Sequence, residues 1–114
     1  MVEFLTKTSG LEDAYGFRLY VFTKVHIAGK DRRIWFTFDP GSNILTTIDF
    51  GDEWEEFRVP CKIEALKEGW MSVRFEIPEL LQLCYPNESH PMHFKIGGVR
   101  IRGTVLLASV TVFA

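Results

Sequence analysis

The residues of this chain that could do chemistry are few and loosely placed. His90-Pro-Met-His93 has a His-x-x-His spacing, and Cys84 stands six residues before it. Three nitrogen and sulfur ligands could hold Zn²⁺ with an open fourth position. No glutamate sits in the helical frame that sets a base beside a zinc-bound water, so no metal site is expected. Asp39, Asp49, Asp52 and Glu53 offer oxygen ligands for Ca²⁺, but not at the spacing of a helix–loop–helix calcium loop. They read as solvated turn acids. Asp39-Pro-Gly-Ser-Asn43 reads as a turn, in which proline presets φ and glycine takes the left-handed position. No Ser/His/Asp order, Cys/His pair or glycine-rich phosphate loop stands out. The chain is therefore expected to be no enzyme, with no catalytic residues, no metal and no cofactor.

A different kind of chemistry, recognition by stacking and hydrogen bonding, is better represented. From Tyr15 to Ile27 the sequence alternates over a long run. Side chains on a strand point to opposite faces in turn. Phe17, Leu19, Val21, Val25 and Ile27 share one face, and Arg18, Tyr20, Phe22, Lys24 and His26 share the other. Ile34, Phe36 and Phe38 then line one side of a second strand, with Arg33, Trp35 and Thr37 opposite. Near the C-terminal end, Val99, Ile101 and Val105 alternate with Arg100, Arg102 and Thr104. The outward set Tyr20, Phe22, His26, Trp35, Arg100 and Arg102 joins aromatic rings to directional donors. Buried aromatic packing and a solvated arginine face are the plainer readings of the same residues.

The elements that must carry this set follow from the same alternation. Val2 to Lys7 forms a short edge strand, and Ala28-Gly29-Lys30-Asp31 a hairpin turn. Ile44 to Phe50 and Phe57 to Pro60 are further strands. Trp70 to Pro78 puts Met71, Val73, Phe75 and Ile77 on one face and Ser72, Arg74 and Glu76 on the wet one. Trp54 and Trp70 stand where strands begin and read as plugs at the sandwich ends. Ile63 to Glu68 is a helical turn or a crossing loop, and Leu80 to Cys84 is helix-prone. Gly97-Gly98 marks a bulge or sharp bend. Leu106 to Phe113 is apolar on both faces except for Ser109 and Thr111, which places it mid-sandwich or against another chain. Seven or eight short strands with at most short helical turns predict an all-β, antiparallel β-sandwich forming one domain over residues 1–114.

Composition bounds the partners. The 114 residues carry 13 Lys and Arg against 15 Asp and Glu, with no long basic run, so no nucleic-acid partner is expected. No stretch approaches a membrane span and no signal peptide opens the chain. Cys61 and Cys84 lack CxxC spacing and read as two buried thiols, with a single disulfide open to them only in an oxidising compartment.

Three features in order resemble the second half of galactose-binding-like jelly rolls, which include several families of carbohydrate-binding modules. They are Trp54 leading into Phe57-Arg-Val-Pro60, Gly69-Trp70 leading into Val73-Arg-Phe-Glu-Ile-Pro78, and Ile96-Gly-Gly-Val-Arg-Ile-Arg-Gly103 followed by Ala108-Ser-Val-Thr-Val112. Tyr15-Gly-Phe-Arg-Leu-Tyr-Val21 is similar to the strand that often precedes them. The resemblance spans roughly residues 15–113 and implies a jelly-roll sandwich that binds carbohydrate, or another small ligand, without catalysis. The alternative expectation is a structural or protein–protein interaction sandwich. It would form a homo-oligomer through the apolar Leu106–Phe113 strand or the Tyr20/Phe22/Trp35 face.

Overall fold

The computed structural model describes residues 1–7, 16–27, 29–50, 54–88, 92–103 and 105–113. The strands among them are β1 (Val2–Lys7), β2 (Arg18–Ile27), β3 (Lys30–Phe38), β4 (Thr46–Phe50), β5 (Trp54–Arg58), β6 (Lys62–Ala65), β7 (Trp70–Phe75), β8 (His93–Arg102) and β9 (Leu106–Val112). One α-helix, α1 (Ile77–Cys84), follows β7. The strands form two sheets, β6-β7-β1-β9 and β4-β5-β3-β2-β8. The chain is an all-β sandwich. Every pairing is antiparallel except β3 with β5, which is parallel because the β4–β5 hairpin folds β5 back between β4 and β3.

The alternation places the core where the sequence puts it. Val2, Phe4, Val73 and Phe75 from the first sheet meet Leu19, Val21, Ile34, Phe36 and Phe38 from the second in one cluster. The Phe4 and Phe75 rings lie 5.7 Å apart, and Phe17 lies 6.4 Å from Phe38. The wet face of β7 carries an ordered ionic network. Glu3 Oε2 accepts from Ser72 Oγ at 2.7 Å and from Arg74 Nε at 2.9 Å, and Arg74 reaches Glu64 at 3.1 Å. The Ser72 hydroxyl, then Arg74, hold the Glu3 carboxyl below its usual range. A lowered carboxylate pKa contributes stability at neutral pH that is lost as pH falls through it.

Several expectations are adjusted. β1, expected as an edge strand, lies inside its sheet, paired with β7 on one side and β9 on the other. The strand read as running to Pro78 stops at Phe75, and Pro78 falls in the first turn of α1, where its missing N–H has no partner to lose. Ile77, Leu80 and Leu81 bury one face of this helix in the core. Ile63 to Glu68, read as a helical turn or loop, supplies β6 and part of a single 3₁₀ turn, Lys67–Gly69. The Asp39 turn forms, with Ser42 N–H donating to Asp39 O at 3.0 Å and Gly41 N–H to Asp39 Oδ1 at 2.9 Å. Its glycine does not take the left-handed conformation, whereas Gly29 of the β2–β3 turn does, at φ 78°. Leu106 to Val112 is not a central strand. It lies at the sheet edge beside β1, with Leu106 49% and Val112 54% exposed.

One interior contact is ionic. Glu55 of β5 is fully buried, ion-paired with Arg32 of β3, and accepts a hydrogen bond from the Tyr85 hydroxyl just beyond α1. The Tyr85 ring packs edge-on against Phe57 at 5.9 Å. Burial raises the Glu55 carboxyl above its ordinary value, and the Arg32 guanidinium pulls it back.

Two substitutions separate these contributions. Phe75→Ala should cost about 3–5 kcal/mol by emptying the centre of the core. Glu55→Ala, which removes little apolar bulk, should cost about as much, roughly 3–5 kcal/mol, because it breaks a largely buried ion pair and takes away the acceptor of the Tyr85 hydroxyl. Urea melts check both. A nearly neutral Glu55→Ala would show that the ion pair is dispensable.

Candidate ligand-binding face

The outer face of the five-stranded sheet is built row by row from strand register. Tyr20 of β2 stands between Thr37 of β3 and Arg100 of β8. One step along, Phe22 stands between Trp35 and Gly98, and Trp35 is flanked in turn by Glu56 of β5. The next row runs Trp54, Arg33, Lys24 and Lys95, and the last runs Asp31, His26 and His93. At the opposite end Arg18 faces Arg102.

The aromatic part is tightly ordered. Phe22 and Trp35 are half-buried, with ring centroids 4.8 Å apart and planes inclined by 38°. Tyr20 meets Trp35 edge-on at 6.2 Å, and the Arg100 guanidinium sits 5.8 Å from the Tyr20 ring centre. Tyr20 is only 7% exposed. It is the floor of the aromatic group, and Phe22 and Trp35 are the surface a ligand can touch. The glycines of β8 make room for this. A bulge falls where Phe22 pairs with Gly98 and Thr23 with Ile96, leaving Gly97 unpaired. A Cβ on Gly97 would stand 2.5 Å from a carbon of the Phe22 ring, whereas one on Gly98 would meet nothing within 4 Å. Space, not backbone conformation, demands glycine at position 97.

The polar groups divide the face. Asp39 holds Arg18 at 3.3 Å and Arg58 at 3.6 Å, and Glu56 accepts from the Thr37 hydroxyl at 3.1 Å. His26 donates through Nδ1 to Asp31 Oδ1 at 2.7 Å. Of the six expected residues, the structure brings Tyr20, Phe22, Trp35 and Arg100 together. Arg102 lies one row beyond Arg100. His26 lies at the other end, in a cleft with Lys24, Arg33, His93 and Lys95. Trp54, read as an end plug, is instead 42% exposed on this face beside Arg33. Its outward direction was readable from the alternation through Phe57, but its neighbour was not.

The remaining chemical candidates gain no support. Among the described residues, no three His, Cys, Asp or Glu side chains converge as metal ligands. His90, Asp52, Glu53 and the Asp49 side chain lie outside the described residues. Cys61 and Cys84 are free thiols. Burial pushes Cys61 well above the usual thiol range and Cys84 up to about 12, with the Glu55 charge adding to the second. Thiols held protonated in this way are poor nucleophiles.

The bulge makes a paired test. Gly97→Ala should lower stability by roughly 1–3 kcal/mol by displacing the Phe22 ring. Gly98→Ala should be neutral or slightly stabilising, since it meets open space and restricts the unfolded chain. Equal melting curves for the two variants would contradict the packing of Phe22 over β8. No family model, no curated protein and no solved structure matches this chain, so the face itself carries the functional argument.

Proposed function

We propose that this chain is a noncatalytic carbohydrate-binding module that receives its ligand on the outer face of the five-stranded sheet. The observation that carries the reading is the half-exposed Phe22–Trp35 pair, bordered by the open space over Gly98 and by cationic donors. Sugar rings present apolar C–H faces that stack on aromatic rings, and hydroxyls that need directional partners. Arg100 and Arg102 on one side and Lys24 and Arg33 on the other supply donors around the rings. The resemblance to galactose-binding-like jelly rolls points the same way. Glycoside hydrolysis calls for a pair of carboxylates flanking the bond. Glu56 and Asp39 on this face are each engaged by neighbours, which favours binding over cleavage.

A screen of soluble oligosaccharides read by tryptophan fluorescence tests this. A saturable shift is expected, weakened at least tenfold in Trp35→Ala while the melting temperature is kept. A folded protein that responds to no glycan would overturn the proposal.

A second reading, a sandwich that pairs with another copy of itself, is favoured by β9. Each of the other three edge strands carries at least one charged residue: Asp49 in β4, Lys62 and Glu64 in β6, and Lys95, Arg100 and Arg102 in β8. Charges on an edge discourage pairing with another chain. β9 has none, and its sequence Leu-Leu-Ala-Ser-Val-Thr-Val suits antiparallel pairing about a twofold axis at Ser109, with Leu106 against Val112. Sedimentation velocity should then show a dimer that Val112→Lys converts to monomer. A monomer at all concentrations would remove this reading.

A further inference from the structure

Lys24, Arg33 and Lys95 stand side by side on the outer face with no acid opposite any of them. Neighbouring strands lie about 4.8 Å apart, so three like charges form one row across β3, β2 and β8. Like charges directly opposite one another destabilise a sheet. The other sheet shows the contrasting arrangement, with Arg74 held between Glu3 and Glu64. Among the described residues, Lys24, Arg33 and Lys95 make no ion pair. The row beyond adds His26 and His93, and its one acid, Asp31, is hydrogen-bonded to His26. These six side chains, with Val25, Arg32 and Phe94 from the alternate positions of the same strands, line a cleft of about 580 Å³.

We infer that this cleft is an anion subsite, and that the carbohydrate recognised on this face is acidic, bearing carboxylate or sulfate groups. The inference rests on the carbohydrate reading above and narrows it to a ligand class. The cation row lies two residues along the strands from Phe22 and Trp35, about 7 Å. A sugar stacked on those rings therefore carries a substituent, or its neighbour in the polymer, over the row. Arg33 offers a planar fork that matches a carboxylate or sulfate in two hydrogen bonds, and the two lysines add compact point charges. An incoming anion relieves the repulsion within the row. A protein with a formal net charge of −2 thus presents a locally cationic cleft to an anionic ligand.

Two measurements test the subsite. The first titrates the whole chain with acidic hexasaccharides (galacturonate, mannuronate and heparin-derived), with neutral hexasaccharides (cello-, xylo- and mannohexaose), and with a ten-nucleotide oligothymidylate. At 50 mM salt at least one acidic hexamer should bind tenfold or more tighter than every neutral one. That advantage should shrink as salt shortens the screening length. Lys95→Gln should cut the advantage at least threefold and leave neutral binding unchanged, whereas Trp35→Ala should weaken both. If neutral sugars bind and acidic ones bind no tighter, the subsite is refuted and the carbohydrate reading stands. If no sugar binds, both fall. If the oligothymidylate binds more tightly than every acidic sugar, the face is a nucleic-acid platform instead.

The second measurement needs no ligand. Lys24→Gln should raise the melting temperature at low salt, and the gain should vanish at 1 M salt. A lower melting temperature at low salt would mean that Lys24 is already compensated, which would overturn the inference.

Discussion

A carboxylate inside an apolar sandwich must be compensated, and the arrangement of the second sheet follows from how Glu55 is compensated. Removing a charge from water costs several kcal/mol unless a partner and hydrogen bonds replace the solvent. Arg32 from β3 and the Tyr85 hydroxyl beyond α1 do so. Three segments distant in sequence are thereby tied at one point. The pair also sets direction. With Arg32 turned inward against Glu55, strand alternation turns Arg33 outward, and Trp35 with it. A slip of one residue in β3 would bury Arg33 and Trp35 and expose Ile34 and Phe36. The composition of the candidate face is in this sense a consequence of one interior ion pair.

The two outer faces of the sandwich show what that face has in particular. On the four-stranded sheet, Glu3, Ser72, Arg74 and Glu64 form a matched network. On the five-stranded sheet the acids are matched near Asp39, at Glu56 with Thr37, and at Asp31 with His26, whereas Lys24, Arg33 and Lys95 have no acid beside them. The middle is aromatic, and the far end carries the cation row. The bulge at Gly97 serves the aromatic middle, because only a residue without a side chain lets the Phe22 ring lean across β8. Backbone irregularity, ring packing and charge distribution therefore converge on one surface.

Much of this was legible from alternation alone. The core faces of β1, β2, β3 and β7 and the outward set around Tyr20, Phe22 and Trp35 follow from a period of two. Register between strands does not. Lys24, Arg33 and Lys95 come from three strands, and nothing in their local sequence says that they stand in one row. Likewise, an apolar run such as Leu106–Val112 reads the same whether it is central or an unguarded edge, because the two differ only in what lies beside them. Tyr20 reads as outward and is outward, yet Trp35 and Arg100 cover it. The short helix was hidden for another reason: Pro78 ends a strand and opens a helix equally well, and the choice is made by Leu80 and Leu81 finding the core.

The order β6-β7-β1-β9 has a consequence in time. β1, the first strand in sequence, lies between β7 and β9, which are among the last. During synthesis from the N-terminal end, the hairpin of β2 and β3 has its turn partner at once. β1 has no neighbour on either side until most of the chain has been made. Its Val2 and Phe4 must stay exposed through that interval, and closing so long a loop is slow. Assembly of the four-stranded sheet is thus a late event, complete only once β9 has been made.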